Sequence, residues 1–323
     1  MALGAGELLA VEVTDVRAEA RDVVLVELRA TAGTKLVPFE PGAHLEVNLP
    51  NGLVRHYSLV NDGRAPDHYL IGVGRAANGR GGSEFVHQSV RRGTLLTISA
   101  PRNNFRLAPQ AQGYLFIAGG IGITPIMAMV RWCEANARPW RLVYAARNRQ
   151  RAAFYETLRE YPASRLHFHF DDERDAVLDV SSELAHVGDG VHVYCCGPQP
   201  LNQAVNNASS HWPQDAIHFE YFVAPAEAPS DAAVAGAFTI ELRRSGGALV
   251  VPPGQSILEV LEANGHRHPF SCREGLCRTC ETTVCEGEVE HRDYVLSSEE
   301  RKAGRSMMVC VSRALSPVLV LDL

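Results

Sequence analysis

The sequence predicts a multidomain chain in which an antiparallel β-barrel is followed by an α/β domain with a parallel sheet and then by a small α+β domain. Three patterns indicate this order: alternating apolar and polar residues near the N-terminus, apolar runs separated by helices from Tyr114 onward, and a cysteine-rich loop near the C-terminus. A chain of 323 residues is long enough for three domains of roughly 100 residues each. The predicted boundaries are 1–108 for the barrel, 109–225 for the α/β domain, 226–237 for a linker rich in alanine and proline, and 238–323 for the cysteine domain.

The composition is that of an ordinary globular protein. Hydrophobic residues make up 46% and charged residues 21% of the chain, and no apolar run approaches the roughly 20 residues needed to cross a bilayer. The net charge of −6 predicts neither nucleic-acid binding nor membrane binding. Eight cysteines without an export signal are typical of a reducing compartment, where thiols bind metal. We therefore expect a cytoplasmic protein, and we expect it to be a monomer.

The barrel region carries a first candidate binding segment, Arg55-His56-Tyr57-Ser58. It lies among alternating strands such as Leu45–Leu49. An arginine can bind a phosphate through two hydrogen bonds, a tyrosine ring can cover an aromatic cofactor, and a serine hydroxyl can bind a ring nitrogen. Taken alone, the segment is equally consistent with a surface ion pair and a half-buried strand aromatic.

A second candidate segment, Asn78-Gly79-Arg80-Gly81-Gly82-Ser83, follows in the same domain. Its glycines allow backbone amides to approach a phosphate, and Ser83 is predicted to cap a helix over 84–91 whose N-terminus attracts an anion. Two phosphate-binding signals without a later aromatic segment for an adenine favour FMN over FAD.

The α/β region begins with the apolar run 114–118, which ends in Gly119-Gly120-Ile121-Gly122. Thr124 is predicted to cap, and Pro125 to open, a helix that reaches about residue 137. A strand, a glycine turn and a helix N-terminus together form a site for a pyrophosphate. The G-x-G-x-x-G pattern is absent, so a plain tight turn is the alternative interpretation.

Further strands are predicted at 140–146, 165–170 and 191–195, with a helix at 151–160, and the last strand leads into Cys196-Gly197-Pro198. This alternation predicts a parallel sheet that binds its ligand at the carboxyl ends of the strands. The segment Arg147–Arg151 contains three arginines and no acid that could accept a ribose 2′-hydroxyl. The arginines could instead bind a 2′-phosphate, so the residues do not exclude NADPH.

The cysteines form the strongest motif. Cys272, Cys277 and Cys280 are spaced as C-x4-C-x2-C, and 29 residues separate Cys280 from Cys310. Plant-type ferredoxins hold a [2Fe–2S] cluster with this spacing. The alternatives are a zinc site or a buried thiol cluster, although zinc sites usually use two short-spaced pairs and only Cys277 and Cys280 form one here. Cys285 is an alternative fourth ligand, but it lies too near Cys280 in sequence to serve as the distal ligand.

Together, these motifs resemble those of the phthalate dioxygenase reductase family over essentially the whole chain. The resemblance implies a ferredoxin–NADP reductase-like arrangement in the first two domains, binding FMN and NADH, and a β-grasp plant-type ferredoxin domain at the C-terminus. It further implies an oxidoreductase that passes electrons to the terminal component of a Rieske-type oxygenase system for aromatic hydroxylation or O-demethylation. Vanillate O-demethylase reductases look like close relatives.

The resemblance also implies roles for individual residues. Arg55 and Ser83 would bind the FMN phosphate, Tyr57 would cover the isoalloxazine, and Ser58 would reach its N5 atom. Phe222 would lie near the flavin edge, and Ser58, Cys196 and Phe222 are the candidate catalytic residues. The remaining cofactor-binding candidates are His56, Arg80, Gly81 and Gly82 for FMN, with Gly120, Gly122, Thr124, Pro125, Cys196, Gly197 and Pro198 for the nicotinamide nucleotide. The cluster ligands would be Cys272, Cys277, Cys280 and Cys310.

One position departs from the family pattern C-x-x-G-x-C-G-x-C, because Arg278 replaces its second glycine. If this position requires a positive φ, arginine strains the loop, and its charge should favour the reduced cluster. Two other functions remain open from the sequence. One is a stand-alone NAD(P)H-dependent flavin or quinone reductase, and the other is a non-catalytic redox-sensing iron–sulfur protein.

Overall fold

A computed structural model of the protein describes residues 8–32, 35–76, 79–225 and 236–323. The chain divides into two compact units, Met1–Glu220 and Tyr221–Leu323. Most of the predicted linker 226–237 lies outside the described residues. The three-domain boundaries therefore stay a prediction.

The first unit begins with an antiparallel sheet. Its strands are β1 (Leu8–Ala20), β2 (Val23–Ala30), β3 (His44–Asn48), β4 (Val54–Ser58), β5 (Tyr69–Gly74) and β6 (Leu95–Ser99), and helix α1 (Gly82–Ser89) lies between β5 and β6 in sequence. Within the described residues, the strand order is β4-β3-β6-β1-β2-β5. An antiparallel bridge between Leu59 and Ile71 and a 2.9 Å hydrogen bond from the Val60 amide to the Leu70 carbonyl join the two edges. The predicted antiparallel barrel is confirmed.

The interior of the barrel follows the alternation in the sequence. Val11 and Val13 on β1 are fully buried, whereas Glu12 between them is exposed. Successive side chains of a strand point to opposite faces, so each strand supplies every second residue to the core. The same alternation buries Leu45 and Val47 on β3.

A parallel sheet follows in the continuously described stretch 113–220. Its strands are β7 (Gly113–Gly119), β8 (Trp140–Ala146), β9 (Leu166–Phe170), β10 (Val191–Cys196) and β11 (Ile217–Glu220). The helices between them are α2 (Ile123–Ala135), α3 (Tyr155–Leu158), α4 (Asp171–Arg174), α5 (Val180–Leu184) and α6 (Gln199–Ala208). The order β11-β10-β7-β8-β9 reverses direction between β7 and β10, where doubly wound folds bind ligands. The predicted parallel sheet is confirmed.

Both faces of this sheet are covered. On β7, Phe116 and Ala118 belong to the core cluster that contains α2, whereas Leu115 and Ile117 belong to the cluster that contains α5 and α6. A strand buried on both faces needs a continuous apolar run. This explains the uninterrupted apolar sequence before the glycine turn.

Two predictions about helices in this region are wrong. Helix α2 begins at Ile123 after the 3₁₀ turn Gly120–Gly122, so Gly122 occupies the N-cap position and the Thr124 hydroxyl instead donates to the Ile121 carbonyl at 2.9 Å. The predicted helix 151–160 is reduced to α3, because Phe154 adopts a left-handed conformation with φ 60°. The Phe154 amide donates to the Glu19 carboxylate at 2.8 Å, a contact too distant in sequence for a local pattern to reveal.

The second unit is described from residue 236 onward, together with 221–225. Its elements are β12 (Phe238–Leu242), β13 (Ala248–Val251), α7 (Ile257–Ala263), β14 (Glu281–Glu286), β15 (Val289–Glu290), α8 (Ser298–Ala303), β16 (Ser306–Met308), β17 (Arg313–Ala314) and β18 (Val318–Leu321). The main sheet has the order β13-β12-β18-β14-β16, with β12 and β18 parallel, and α7 packs on it. The predicted capping box of Ser256 and Glu259 is present at the start of α7. This arrangement agrees with the predicted β-grasp domain.

Among the helices that the structure describes, none combines the length and apolar character required to cross a membrane.

Candidate functional site

The two phosphate-binding segments of the barrel meet at the N-terminus of α1. Arg55 on β4 donates to the Arg80 carbonyl at 2.5 Å and to the Val54 carbonyl at 2.7 Å. A Cβ atom on Gly82 would lie 2.6 Å from Arg55 Cγ, so a larger residue there would displace the Arg55 side chain. The guanidinium and the free amides of the helix N-terminus thus converge, as binding of a phosphate requires.

Ser83 lies beside these groups but does not cap the helix. Gly81, in a left-handed conformation with φ 78°, occupies the N-cap position of α1, and no side chain caps it. The Ser83 hydroxyl instead accepts a 3.2 Å hydrogen bond from the Ala76 amide. The predicted capping role is therefore wrong, because the glycine-rich turn starts the helix earlier. Binding of phosphate by Ser83 stays a prediction.

Tyr57 and Ser58 complete β4. The Tyr57 hydroxyl is buried with no hydrogen-bond partner in the described part of the chain, and burial raises the pKa of this phenol to about 12. Ser58 is buried, and His56 makes an edge-on contact with the His44 ring, with 5.5 Å between ring centroids. The unsatisfied tyrosine hydroxyl is a group that a polar ligand such as a flavin would satisfy.

The glycine turn after β7 faces the loop after β10. A Cβ atom on Gly122 would lie 2.5 Å from the Cys196 carbonyl carbon and 2.9 Å from the Gly197 nitrogen, and one on Gly119 would lie 2.6 Å from Pro198 Cδ. The two loops therefore pack backbone against backbone at the point where the strand order reverses. This brings the predicted nicotinamide residues together, since Gly120, Gly122, Thr124 and Pro125 lie on one side of the crevice and Cys196, Gly197 and Pro198 on the other.

One residue that supports this turn was missed from the sequence. Tyr144 on β8 is fully buried, and its hydroxyl donates to the Gly120 carbonyl at 3.1 Å. Gly120 has φ 53°, so this contact holds the turn in a conformation that favours glycine. Only the pairing of β7 with β8 places Tyr144 here.

A second missed residue is Glu220, which ends β11 and lies opposite Cys196 in the parallel register. Its Oε2 atom is buried and unpartnered among the described residues, and burial raises its pKa to about 8. Burial likewise raises the pKa of the Cys196 thiol, and the nearby Glu220 adds to the shift. A thiol and a carboxyl that are both largely neutral near pH 7 therefore lie buried at the ends of β10 and β11.

The arginines after β8 are largely paired with acids. Arg149 binds Glu173 at 3.0 Å, and Arg151 binds Asp22 at 2.7 Å. The Asp172 amide donates to the Arg147 carbonyl at 3.2 Å, so the acidic end of β9 lies beside the end of β8. The sequence places no acid in the segment after β8, but the sheet brings acids to the same edge. This balance of charge favours NADH over NADPH, whose 2′-phosphate needs free cations.

The four predicted cluster ligands lie together in the second unit. Hydrogen bonds from Cys277 and Cys310, followed by those from the Glu274 and Leu276 amides, lower the pKa of the Cys272 thiol. The two amide nitrogens lie 3.3 and 3.4 Å from Cys272 Sγ. Hydrogen bonding with Cys310 also lowers the pKa of the Cys280 thiol. Four converging thiols with backbone amides directed at sulfur are a suitable donor set for a [2Fe–2S] cluster.

The hydrogen bonds among these thiols do not include Cys285, the alternative fourth ligand. Cys285 lies within β14, whereas the hydrogen bonds among thiols join Cys272 to Cys277 and Cys310, and Cys310 to Cys280. The assignment of the four cysteines as ligands stays a prediction.

Phe222 lies at the start of the second unit, and 41% of it is exposed. Its predicted position near the flavin edge stays a prediction.

Comparison with protein families agrees with these sites. The model for the oxidoreductase NAD-binding domain matches residues 116–207, and the model for the 2Fe–2S iron–sulfur cluster binding domain matches 240–315. Phthalate dioxygenase reductase from Burkholderia cepacia is 41% identical over 94% of both chains. The chain belongs to the phthalate dioxygenase reductase family.

Two further relatives are named as an oxidoreductase and a reductase. Vanillate O-demethylase oxidoreductase from a Pseudomonas strain is 40% identical over 98% of this chain and 100% of its own. Tetrachlorobenzoquinone reductase from Sphingobium chlorophenolicum is 41% identical over 96% of this chain and 97% of its own. The predicted likeness to vanillate O-demethylase reductases is confirmed.

Solved structures agree as well. Phthalate dioxygenase reductase, described as a modular structure for electron transfer from pyridine nucleotides to [2Fe–2S], aligns over 98% of both chains with 41% identity and a TM-score of 0.70. A type IV self-sufficient cytochrome P450 monooxygenase aligns over 98% of this chain with 35% identity and a TM-score of 0.92, and the chain corresponds to 41% of that protein. The predictions of a phthalate dioxygenase reductase-like oxidoreductase, its fold class and its nicotinamide-nucleotide and [2Fe–2S] cofactors are confirmed.

Proposed function

We propose that this member of the phthalate dioxygenase reductase family is the reductase component of a two-component Rieske oxygenase system. It takes electrons from NADH and delivers them through FMN and the [2Fe–2S] cluster to a separate terminal oxygenase. The observation that supports this most is the crevice at Gly119–Gly122 and Cys196–Pro198 together with a four-thiol site in the same chain. NADH delivers two electrons as hydride and the cluster accepts one, and FMN, when bound, converts between the two.

The flavin segment would bind by charge and stacking. Arg55 and the N-terminus of α1 supply positive potential for the FMN phosphate, with the Arg80–Ser83 turn bringing backbone amides close. Tyr57 supplies an apolar ring and a buried hydroxyl for the isoalloxazine, and Ser58 supplies a hydroxyl for its edge. Each of these residues would hold the flavin in position.

The nicotinamide crevice would exclude charge and water. Backbone packing between Gly122 and Cys196 leaves no room for a side chain, and the Glu220 carboxyl is largely neutral near pH 7. Hydride transfer needs two rings held in close contact and no acid–base group, so the chain contributes mainly orientation.

The test is delivery of electrons to a Rieske protein. The NADH-reduced protein is mixed anaerobically with the oxygenase encoded beside its gene, and also with the oxygenases of the phthalate and vanillate systems, and Rieske-cluster reduction is followed by stopped flow and EPR. We expect one of these to be reduced at a rate that supports product formation. Rapid NADH oxidation with artificial acceptors, together with no Rieske reduction in any mixture, would contradict the proposal.

A second candidate function is quinone reduction, which the 41% identity to tetrachlorobenzoquinone reductase favours. A quinone accepts two electrons and can take them from the flavin directly, so its reduction should survive loss of the cluster. If quinone reduction is the physiological reaction, Cys310→Ser should keep full physiological activity. If the protein is the proposed reductase, Cys310→Ser should lose electron delivery to the oxygenase.

The remaining features of the proposal concern the setting of the protein. The eight cysteines, all free of disulfide bonds, favour the cytoplasm. We further propose that the protein acts as a monomer with domains at 1–108, 109–225 and 238–323. Light scattering and limited proteolysis within 226–237 test these two statements.

A further inference from the structure

Arg278 occupies an unusual position in the cysteine loop, between Cys277 and Cys280. Its φ is 59°, in the left-handed region that favours glycine, and the family pattern has glycine there. An arginine in this conformation is disfavoured unless its side chain gains contacts elsewhere.

The guanidinium of Arg278 gains such contacts from the segment before and within α8. Its Nη1 and Nη2 atoms donate to the two carboxylate oxygens of Glu300 at 2.9 and 2.6 Å, and Nη2 also donates to the Val295 carbonyl at 2.7 Å. A paired arrangement of this kind is among the strongest polar contacts in proteins. Arg278 therefore joins the cysteine loop to α8.

Glu300 has a second role at the start of the same helix. Its carboxylate accepts a hydrogen bond from the Ser297 amide at 2.7 Å, and the Ser297 hydroxyl accepts one from the Glu300 amide at 3.1 Å, which forms a capping box. The Arg278 guanidinium also lowers the pKa of Glu300, so the carboxylate stays ionised near neutral pH. One carboxylate thus holds both the helix start and the arginine.

The segment that carries these acceptors is held firmly against the loop. The Tyr294 amide donates to the Gly275 carbonyl at 3.1 Å, and the Asp293 carboxylate accepts from the Val295 and Leu296 amides at 3.0 and 2.8 Å. The Asp293 side chain is fully buried. The positions of the Arg278 and Glu300 charges are therefore defined by the fold rather than by mobile surface side chains.

We propose that Glu300 compensates the charge of Arg278 and that this pair sets the reduction potential of the [2Fe–2S] cluster. Arg278 alone would stabilise the reduced cluster, which carries one more negative charge. The Glu300 carboxylate, which binds the guanidinium directly, cancels most of that effect, and Glu281, 3.7 Å from the same guanidinium, contributes a smaller part. Reduction adds one electron to the cluster and forms or breaks no bond. The inference rests on the proposed ligation by Cys272, Cys277, Cys280 and Cys310.

The size of the effect follows from electrostatics. A unit charge on the order of 10 Å from a redox centre, in an effective dielectric of about 20, changes the equilibrium between its oxidised and reduced forms roughly tenfold. The Glu300 side chain is 42% exposed, so water screens part of its charge. We expect Glu300→Gln to raise the ratio of reduced to oxidised cluster at a fixed solution potential about three- to tenfold, where tenfold corresponds to 59 mV.

The experiment is an EPR-monitored redox titration of the full-length protein carrying its cluster and FMN. Glu300→Gln removes the charge and keeps a residue suited to the capping box. The matched control is Glu299→Gln, which removes the same charge from the same helical turn at an exposed residue for which no contact with Arg278 is seen. Arg278→Gly should shift the potential in the opposite direction, and the double variant should return close to the wild-type value.

The outcomes distinguish a failure of the proposed function from a failure of this inference. Absence of a [2Fe–2S] signal in the wild-type protein would overturn the proposed function itself. Equal shifts in Glu300→Gln and Glu299→Gln, or no shift in either, would overturn this inference while leaving the function intact. If Glu300→Gln fails to retain its cluster, Arg278→Gly decides the question, because glycine suits the left-handed position, and an unchanged potential there would also overturn the inference.

Discussion

Substitution of Gly122 by alanine tests the backbone contact at the centre of the nicotinamide crevice. An added Cβ atom would overlap the Cys196 carbonyl oxygen and lie 2.5 Å from the carbonyl carbon, whereas ordinary contact begins at 3.4 Å. The two loops must therefore separate by about 1 Å, and a displacement of that size in a reacting site can reduce turnover roughly 100-fold.

The stability cost follows from the same collision. The obstructing atoms belong to the backbone, so rotation of a side chain cannot relieve the contact, and overpacking of this kind costs about 2–3 kcal/mol. For a unit of this size, such a loss lowers the melting temperature by roughly 4–12 °C. FMN binding should be retained, because the colliding atoms belong to Gly122 and Cys196 and not to the flavin segments 55–58 and 79–83.

The assay combines calorimetry with NADH-dependent reduction of a dye that takes electrons from the flavin. The control is Gly188→Ala, because nothing lies within 4 Å of a Cβ atom at Gly188 and its φ is ordinary. We expect Gly188→Ala to behave as the wild type in both measurements. Wild-type kcat/KM for NADH and an unchanged melting temperature in Gly122→Ala would refute the proposed backbone packing.

Three further predictions follow from other parts of the chain. Arg55→Ala should weaken FMN binding by about 10- to 100-fold, since a charge-assisted paired contact is worth roughly 1.5–3 kcal/mol; fluorescence of flavin released on dilution measures this, and retained flavin with lost turnover would disprove the role. Cys310→Ser should lose the [2Fe–2S] absorption and electron delivery to a Rieske protein but keep NADH-dependent bleaching of the flavin; a complete cluster spectrum in this variant would reassign the fourth ligand. Burial raises the pKa of Glu220 from its ordinary value of 4.5 to about 8. Because the carboxyl ionises more readily in the unfolded chain, the free energy of unfolding should fall by at most about 5 kcal/mol as the pH rises from about 5 to 8. Glu220→Gln should flatten this pH dependence in urea unfolding, and parallel profiles for the two proteins would rule out a buried carboxyl.

Most of the secondary structure could be predicted because its signals are local. The capping box at Ser256 and Glu259, the alternation along β1 and the apolar run before Gly119 each depend on residues within a few positions of one another. The errors arise where a contact distant in sequence determines the local structure. The predicted helix 151–160 fails at Phe154, whose amide is bound by Glu19 from the barrel.

The candidate sites likewise contain some residues that local sequence patterns reveal and others that only the folded sheet brings into place. The spacing of Cys272, Cys277 and Cys280 and the glycine turn were visible in the sequence, since a loop that folds around a ligand places its binding groups close together in the chain. Glu220 and Tyr144 were not assigned a role, although Tyr144 donates to the Gly120 carbonyl and Glu220 lies opposite Cys196 in the sheet. Their positions depend on which strands are neighbours in the sheet.

By itself, the sequence determined the order of the domains, the thiol spacing and the presence of a glycine at each close approach of the backbone. Only the tertiary structure showed that Arg149 and Arg151 are already paired with acids, that Glu220 is buried beside Cys196, and that Glu300 forms an ion pair with Arg278. A local pattern records the conformational preferences of neighbouring residues. A charge or a buried carboxyl acquires its chemistry from partners that lie 20 or more positions away and meet only when the chain folds.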